Sequence, residues 1–466
     1  MSAAGAARTA RRRYVTVSAL FWLPAGLAIA PGVLLFTERG MALAAIAGFF
    51  AAHSLTAAVL ELPTGGLSDV VGRRVVLAAA GVLNLAALTF LALGTTAWAF
   101  TGGMVLMGAG RALSSGPAEA WYVDTVHACA GPDAELRTGL ARGESATSAA
   151  LAAGVLLGGL LPWLLGLDAA LASRLEAATS GLVVPLSVPL LLGAVGELGF
   201  VLYVLAALRE PPRVAVTARE VLRGVPVTVA SGLRLGGRDA LVRRVLLSAG
   251  AAGGALATIE LLAPGRAASM TGAAESGAVL FALVACAGFV CSALGSHLAP
   301  VTARVAGGGE RAILVSLGAG AGGLLLLGAT AAFTGALAAV LAATGYALVY
   351  LGLGAAGPNE NDLLHRRVAS DARATALSVQ SLALQAAGAL TGLLVGALRP
   401  GAAPWLLGGA VLLAGALLWA GGTRRAVGAD TKAPPAGSAV PPSAVPDARS
   451  ADDPAAPGPH PVGPVA

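Results

Sequence analysis

Between residues 15 and 420 the chain repeats one pattern: a run of about twenty residues almost free of charge, then a short turn carrying arginines and acids. A run of about twenty apolar residues is enough for a helix to cross a hydrocarbon layer of roughly 30 Å. In lipid each backbone amide needs a partner within the protein, so a spanning run of this kind reads as a helix. The runs predicted to span are 15–36, 41–63, 75–97, 99–121, 143–161, 182–208, 245–263, 272–294, 312–330, 332–357, 375–398 and 402–420. Composition agrees, because 12% charged residues in a 466-residue chain could not cover a soluble fold, where about 25% is usual. Mean hydropathy is +0.80. The expectation is an all-α polytopic membrane protein.

The turns set the orientation. With the N-terminus inside, Arg39, Arg174, Arg266 and Arg399 fall outside, Arg111 lies within the membrane, and the rest of the 30 Lys and Arg residues lie inside. Cytoplasmic loops carry such an excess, so twelve spans with both termini cytoplasmic satisfy it. The net charge of +6 is no nucleic-acid signal, since the arginines sit in short loops and form no basic face. Cys129, Cys286 and Cys291 are too few and too scattered for a disulfide framework or a metal site. No nucleotide-binding loop of the Gly-x-x-x-x-Gly-Lys-Ser/Thr kind is present, which argues against direct ATP coupling and against a catalytic role.

Between the second and third runs stands Gly65-Gly66-Leu67-Ser68-Asp69-Val70-Val71-Gly72-Arg73-Arg74. Its spacing resembles the signature loop between helices 2 and 3 of the major facilitator superfamily of secondary transporters, and the preceding Glu61-Leu62-Pro63-Thr64 is similar to a variant in its bacterial efflux-type branches. That resemblance implies two pseudo-symmetric six-helix halves. The divisions predicted are a cytoplasmic N-terminus at 1–14, a first half at 15–208, a cytoplasmic linker at 209–244, a second half at 245–421, and a disordered tail at 422–466 rich in Pro, Ala, Ser and Asp. Within the linker, 217–235 reads either as an amphipathic helix on anionic headgroups or as a solvated connection. The resemblance further implies that Arg73 pairs with Asp124 and that Asp69 faces the start of helix 11, so that Gly65, Asp69, Gly72, Arg73, Arg74 and Asp124 gate rather than bind.

Polar residues inside the spans are the candidate site, because each is costly in lipid unless it faces a partner or water. Arg111 falls near the middle of the fourth run, and Arg111-Ala112-Leu113-Ser114-Ser115-Gly116 resembles the superfamily's helix 4 arginine region, with the glycine one position late. His53, Glu119, Glu197 and Glu260 are candidates for carrying a proton or reading a cation, each against the plainer reading of a buried structural group. Gln380, Ser381 and Gln385 make the start of the eleventh run polar, either lining a path or bonding between helices. Gly154-x-x-x-Gly158-Gly159 reads as a close-packing motif.

The leading expectation is a monomeric secondary transporter of the inner membrane that exports a small, partly hydrophobic compound in exchange for protons, with no cofactor and no metal. Import or uniport of a small polar solute such as a sugar, organic acid or amino-acid-like molecule is an alternative. A nontransporting membrane receptor or assembly protein is another.

Overall fold

The computed structural model describes residues 3–65, 67–210, 234, 237–368 and 373–420. Most of the linker, including the predicted surface helix apart from residue 234, and the tail at 421–466 lie outside the described residues. So do Gly66 and the side chains of Asp69 and of residues 373–375.

Every described element is helical. In chain order these are α1 (Ala3–Glu38), α2 (Leu43–Gly65), α3 (Leu67–Val71), α4 (Arg73–Leu93), α5 (Ala97–Ser114), α6 (Pro117–Ala130), α7 (Arg137–Gly166), α8 (Ala169–Ala178) and α9 (Val188–Ala207). After the linker come α10 (Ala240–Thr271), α11 (Ala274–Ala306), α12 (Gly309–Thr330), α13 (Ala336–Arg367), α14 (Arg373–Ala397) and α15 (Ala402–Leu417). Among the described residues ten helices are long and apolar enough to cross a membrane, which makes the chain a multi-pass membrane protein. The 14-residue α6 and the 16-residue α15 fall short of that length, and the 18-residue α5, which carries Arg111, is not apolar enough.

Several helices run well past their predicted ends. The segment after Pro264, predicted as an external loop, continues α10 to Thr271, and the segment after Pro358, predicted as a turn, continues α13 to Arg367. Pro24 and Pro31 likewise lie inside an unbroken α1. Proline frees one carbonyl and bends the helix, but in a bundle neighbouring groups can take up that carbonyl, so it does not act as the stop it would be in water.

One predicted span is interrupted. Ser115 is extended and Gly116 has φ 95°, so α5 ends and α6 begins at Pro117, the favoured first position of a helix. The turn after α2 also contains structure the spacing did not reveal, the single helical turn of α3, with Gly72 at φ 105° starting α4.

Glycines let the helices close up. A Cβ on Gly158 would lie 2.4 Å from the carbonyl oxygen of Leu27, and one on Gly154 would lie 2.4 Å from that of Leu23, so α1 and α7 meet backbone to backbone. Gly159 turns the other way, where a Cβ would lie 2.5 Å from Ala278 O of α11. This joins the part of the chain before the linker to the part after it. A second such seam runs along α2 and α14, where a Cβ on Gly396 would come within 2.5 Å of Ala47 Cβ.

The two ends of the bundle differ. At the end away from Arg73 one continuous apolar cluster contains Val33–Phe36 side chains of α1, Ile46 and Phe49 of α2, Phe100 and Met104 of α5, and also Leu261 of α10, Ala278 of α11 and Val395 of α14. Phe36, Phe49 and Phe100 stack within it at centroid distances of 4.8–5.6 Å. At the Arg73 end, the cluster around Tyr14, Trp121, Tyr122 and Phe200 draws only on residues before the linker.

Candidate functional site in a central cavity

The apolar plug closes off a cavity of about 370 Å³ at the centre of the bundle, walled by α1, α2, α4, α5, α7 and α9 on one side and α10, α11 and α13 on the other. It is within the usual range for a small-molecule site. Most of the wall is aromatic or aliphatic. Tyr346 and Tyr350, four apart on α13 and so on one face, stack at 4.8 Å, with Phe289 edge-on to Tyr350 at 6.5 Å. Trp22 and Phe21 stand on the facing helix α1, packed edge to face at 5.6 Å.

Four polar groups interrupt that wall: His53, Asn84, Arg111 and Glu260. Arg111, in the last turn of α5, is exposed to this cavity and to two others. Glu260 of α10 is exposed too, and it borders the central cavity and a side cavity of about 280 Å³ between α2, α5, α10 and α14. Neither makes a hydrogen bond or ion pair among the described residues. An arginine and a glutamate from opposite sides of the linker thus border one cavity with no hydrogen bond or ion pair between them. His53 lies on α2 between the same two cavities.

Toward the Arg73 end the space continues into a vestibule of about 330 Å³ that shares Phe21, Trp22 and Arg111 with the central cavity. Glu119, in the first turn of α6, and Glu144 of α7 border it with Arg111. The break at Gly116 turns Glu119 into a residue at a helix N-terminus, where exposed amides favour its negative charge.

Glu61 borders the vestibule and is the residue that sequence reasoning passes over. Its Oε2 accepts from Ser381 Oγ at 3.0 Å and from Gln385 Nε2 at 3.1 Å, a polar link from α2 to α14. In the sequence it is one letter beside the loop motif, and its sole signal is an acid inside an apolar run. Gln385 also borders the side cavity, whereas Gln380 borders none of the three.

The residues predicted to gate are braced among helices that precede the linker. Arg73 pairs with Asp124 and donates to Ala120 O at 2.7 Å, tying α4 to α6. The Arg74 amide donates to Glu210 Oε1 at 2.6 Å, its guanidinium donates to Leu205 O, and Trp121 Nε1 donates to Arg209 O at 2.9 Å. The far side of the linker carries an analogous brace. Asp239 caps α10 by accepting from Leu241 N at 2.9 Å and Val242 N at 3.3 Å, and receives Arg367 Nε of α13 at 2.5 Å. Burial would raise the Asp239 carboxyl, but the Arg367 hydrogen bond and the two amides outweigh it and hold the group below its ordinary value.

Glu197 does not reach the cavity. It is 1% exposed in the middle of α9, with Asn84 Nδ2 donating to its Oε1 at 3.1 Å. In the second half, Glu360 is similarly enclosed and receives Ser248 Oγ at 2.6 Å.

No protein-family model and no curated protein matches the chain. Solved structures do. A mutant form of the nucleoside transporter NupG superposes with a TM-score of 0.67 at 13% identity, over 89% of this chain and 99% of that one. A peptide transporter, POT, in complex with sulfate gives 0.65 at 15% identity over 91% and 98%. A POT family transporter in complex with 5-aminolevulinic acid gives 0.63 at 15% identity over 89% and 96%. The chain therefore has the fold of these transporters. Another solved match is described as belonging to the proton dependent oligopeptide transporters. These are named as carriers of nucleosides and peptides, not as export pumps, so the expectation of export from an efflux-type branch is overturned in favour of the import alternative.

Proposed function

We propose that the chain is a bacterial inner-membrane member of the major facilitator superfamily that imports a small polar solute, an organic acid or amino-acid-like molecule, by alternating access. The observation that carries this reading is the unpaired juxtaposition of Arg111 and Glu260 across one aromatic-walled cavity. Arg111 presents a planar donor fork suited to a carboxylate, and Glu260 accepts from an ammonium or hydroxyl. A solute with both groups satisfies both charges at once and draws the two halves together. The aromatic wall gives its apolar part a surface to bury against. The solved POT family structure holding 5-aminolevulinic acid, a molecule with both groups, supports that choice of solute class.

In this reading α5 and α6 form one broken span and α15 a short one, so twelve spans alternate direction and the Arg73 end is cytoplasmic. The conformation is then open inward through the vestibule and sealed outward by the apolar plug. Rocking of the halves about the cavity exposes it to the other side. Downhill movement of protons is the driving force we assign, with Glu61, Glu119 and His53 along the inward path.

The test is uptake into reconstituted vesicles of dialanine, 5-aminolevulinic acid, uridine, glucose and lactate, with an imposed inward proton gradient. Gradient-dependent uptake of a dipolar solute, cut by about tenfold or more in Arg111→Gln and Glu260→Gln with thermal stability unchanged, is the expected result. Extrusion in place of uptake, or uptake indifferent to both substitutions, would overturn it.

A further inference from the structure

The central cavity accounts for Arg111, Glu260 and His53 but leaves out the carboxyl group sealed inside the first half. Glu197 is 1% exposed at mid-length in α9, and Asn84 of α4, 6% exposed, is the residue of the cavity wall that contacts it. Asn84 Nδ2 donates to Glu197 Oε1 at 3.1 Å. The other oxygen of each side chain, Glu197 Oε2 and Asn84 Oδ1, is buried with no hydrogen-bond partner.

Ionised, Glu197 makes this arrangement costly twice over. Two acceptors are left without donors, and a full charge is left without a counter-ion. The helices packed on α9 supply neither. Those of α1, α4 and α7 carry their charged and titratable side chains toward their ends: Arg8, Arg11, Arg12, Arg13, Tyr14 and Glu38 in α1, Arg73 and Arg74 in α4, Arg137, Arg142 and Glu144 in α7. Tyr203, on α9 itself, lies toward the Arg73 end. Beyond Asn84 is α5, where a Cβ on Gly110 would come within 2.3 Å of Asn84 Oδ1. Its neighbour Arg111 turns into the cavity instead.

A single proton resolves both costs. A neutral carboxylic acid and a carboxamide can pair through two hydrogen bonds, amide N–H to acid carbonyl and acid O–H to amide carbonyl. The first is the observed contact. We propose that Glu197 carries a proton on Oε2, donated to Asn84 Oδ1, and that this is the proton the carrier exchanges with its central cavity. The close approach of Gly110 to Asn84 favours a proton over a sodium ion, which needs more oxygens than these two. On release the O–H bond of Oε2 breaks, the electron pair stays on the carboxylate, and the proton passes to water entering from the cavity. The protonation itself stands on the buried pair alone; its coupling to solute rests on the transport reading above.

Infrared spectroscopy of the full chain in lipid nanodiscs, wild type against Glu197→Gln, tests the two parts separately. Glutamine keeps an N–H to donate to Asn84 Oδ1, so the variant should melt as wild type does. The wild type should show a protonated-carboxyl stretching band that is missing from Glu197→Gln and indifferent to sodium. In vesicles, Glu197→Gln should still exchange dialanine or uridine, whichever the wild type carries, while proton-driven accumulation falls by about tenfold or more. Identical carboxyl spectra in the two proteins, or a band displaced by sodium, would overturn the proton site. A band present in a protein that moves no solute, or undiminished accumulation by Glu197→Gln, would keep the site and overturn its coupling.

Discussion

Arg111 illustrates what a single residue discloses in a chain like this. An arginine in mid-span stands out from sequence because lipid tolerates it so poorly, and the structure gives it three cavities to border. Arg111→Lys keeps the charge but loses the fork, so solute affinity should fall by about tenfold while the protein folds normally, read as a rise in KM with little change in kcat. Glu61 escapes notice because an acid close to the end of an apolar run looks like the end of the membrane. Tyr346 and Tyr350 escape it because aromatic residues at helical spacing look like core. Asp239 offers a measurable consequence of a different kind. Its carboxyl is held low in the folded protein, so the stabilisation it gives is fully present above the unfolded value near 3.9 and is lost as pH falls through the lower folded value. Asp239→Asn keeps the cap but loses the ion pair with Arg367, so it should lower the melting temperature at neutral pH by the equivalent of about 0.2–1 kcal/mol, and the gap from wild type should close on strong acidification.

Elements were legible in kind and order but neither in number nor in length. The cause is proline: Pro264 and Pro358 read as stops in a code learned from water, whereas the helices run on through them within a bundle. The interruption at Gly116 was invisible for the opposite reason, because Ser-Ser-Gly-Pro between two apolar stretches is too short to register as a gap. Two glycines now separate two kinds of constraint. Gly116 has φ 95° and open space around it, so Gly116→Ala should cost about 1–2 kcal/mol through backbone strain alone. Gly158 has an ordinary helical backbone, but its missing Cβ would meet Leu27 O, so Gly158→Val should cost about 1–3 kcal/mol through overpacking and separate α1 from α7. Thermal melts in detergent measure both; Leu27→Ala, which leaves that backbone carbonyl in place, should rescue neither.

For the whole molecule, a multi-pass bundle of helices was readable, whereas which side chains meet inside it was not. Sequence neighbours say nothing about Arg111 and Glu260 bordering one cavity. The plug around Phe36, Phe49 and Phe100 has one more implication. It contains no ion pair, so parting it means wetting oily surface, at roughly 25 cal/mol for each Å². Ionic strength barely touches such a cost. The unloaded carrier should therefore wait facing the same way in dilute buffer and in brine, and a thiol probe aimed at the sealed mouth should enter no faster when the salt is changed.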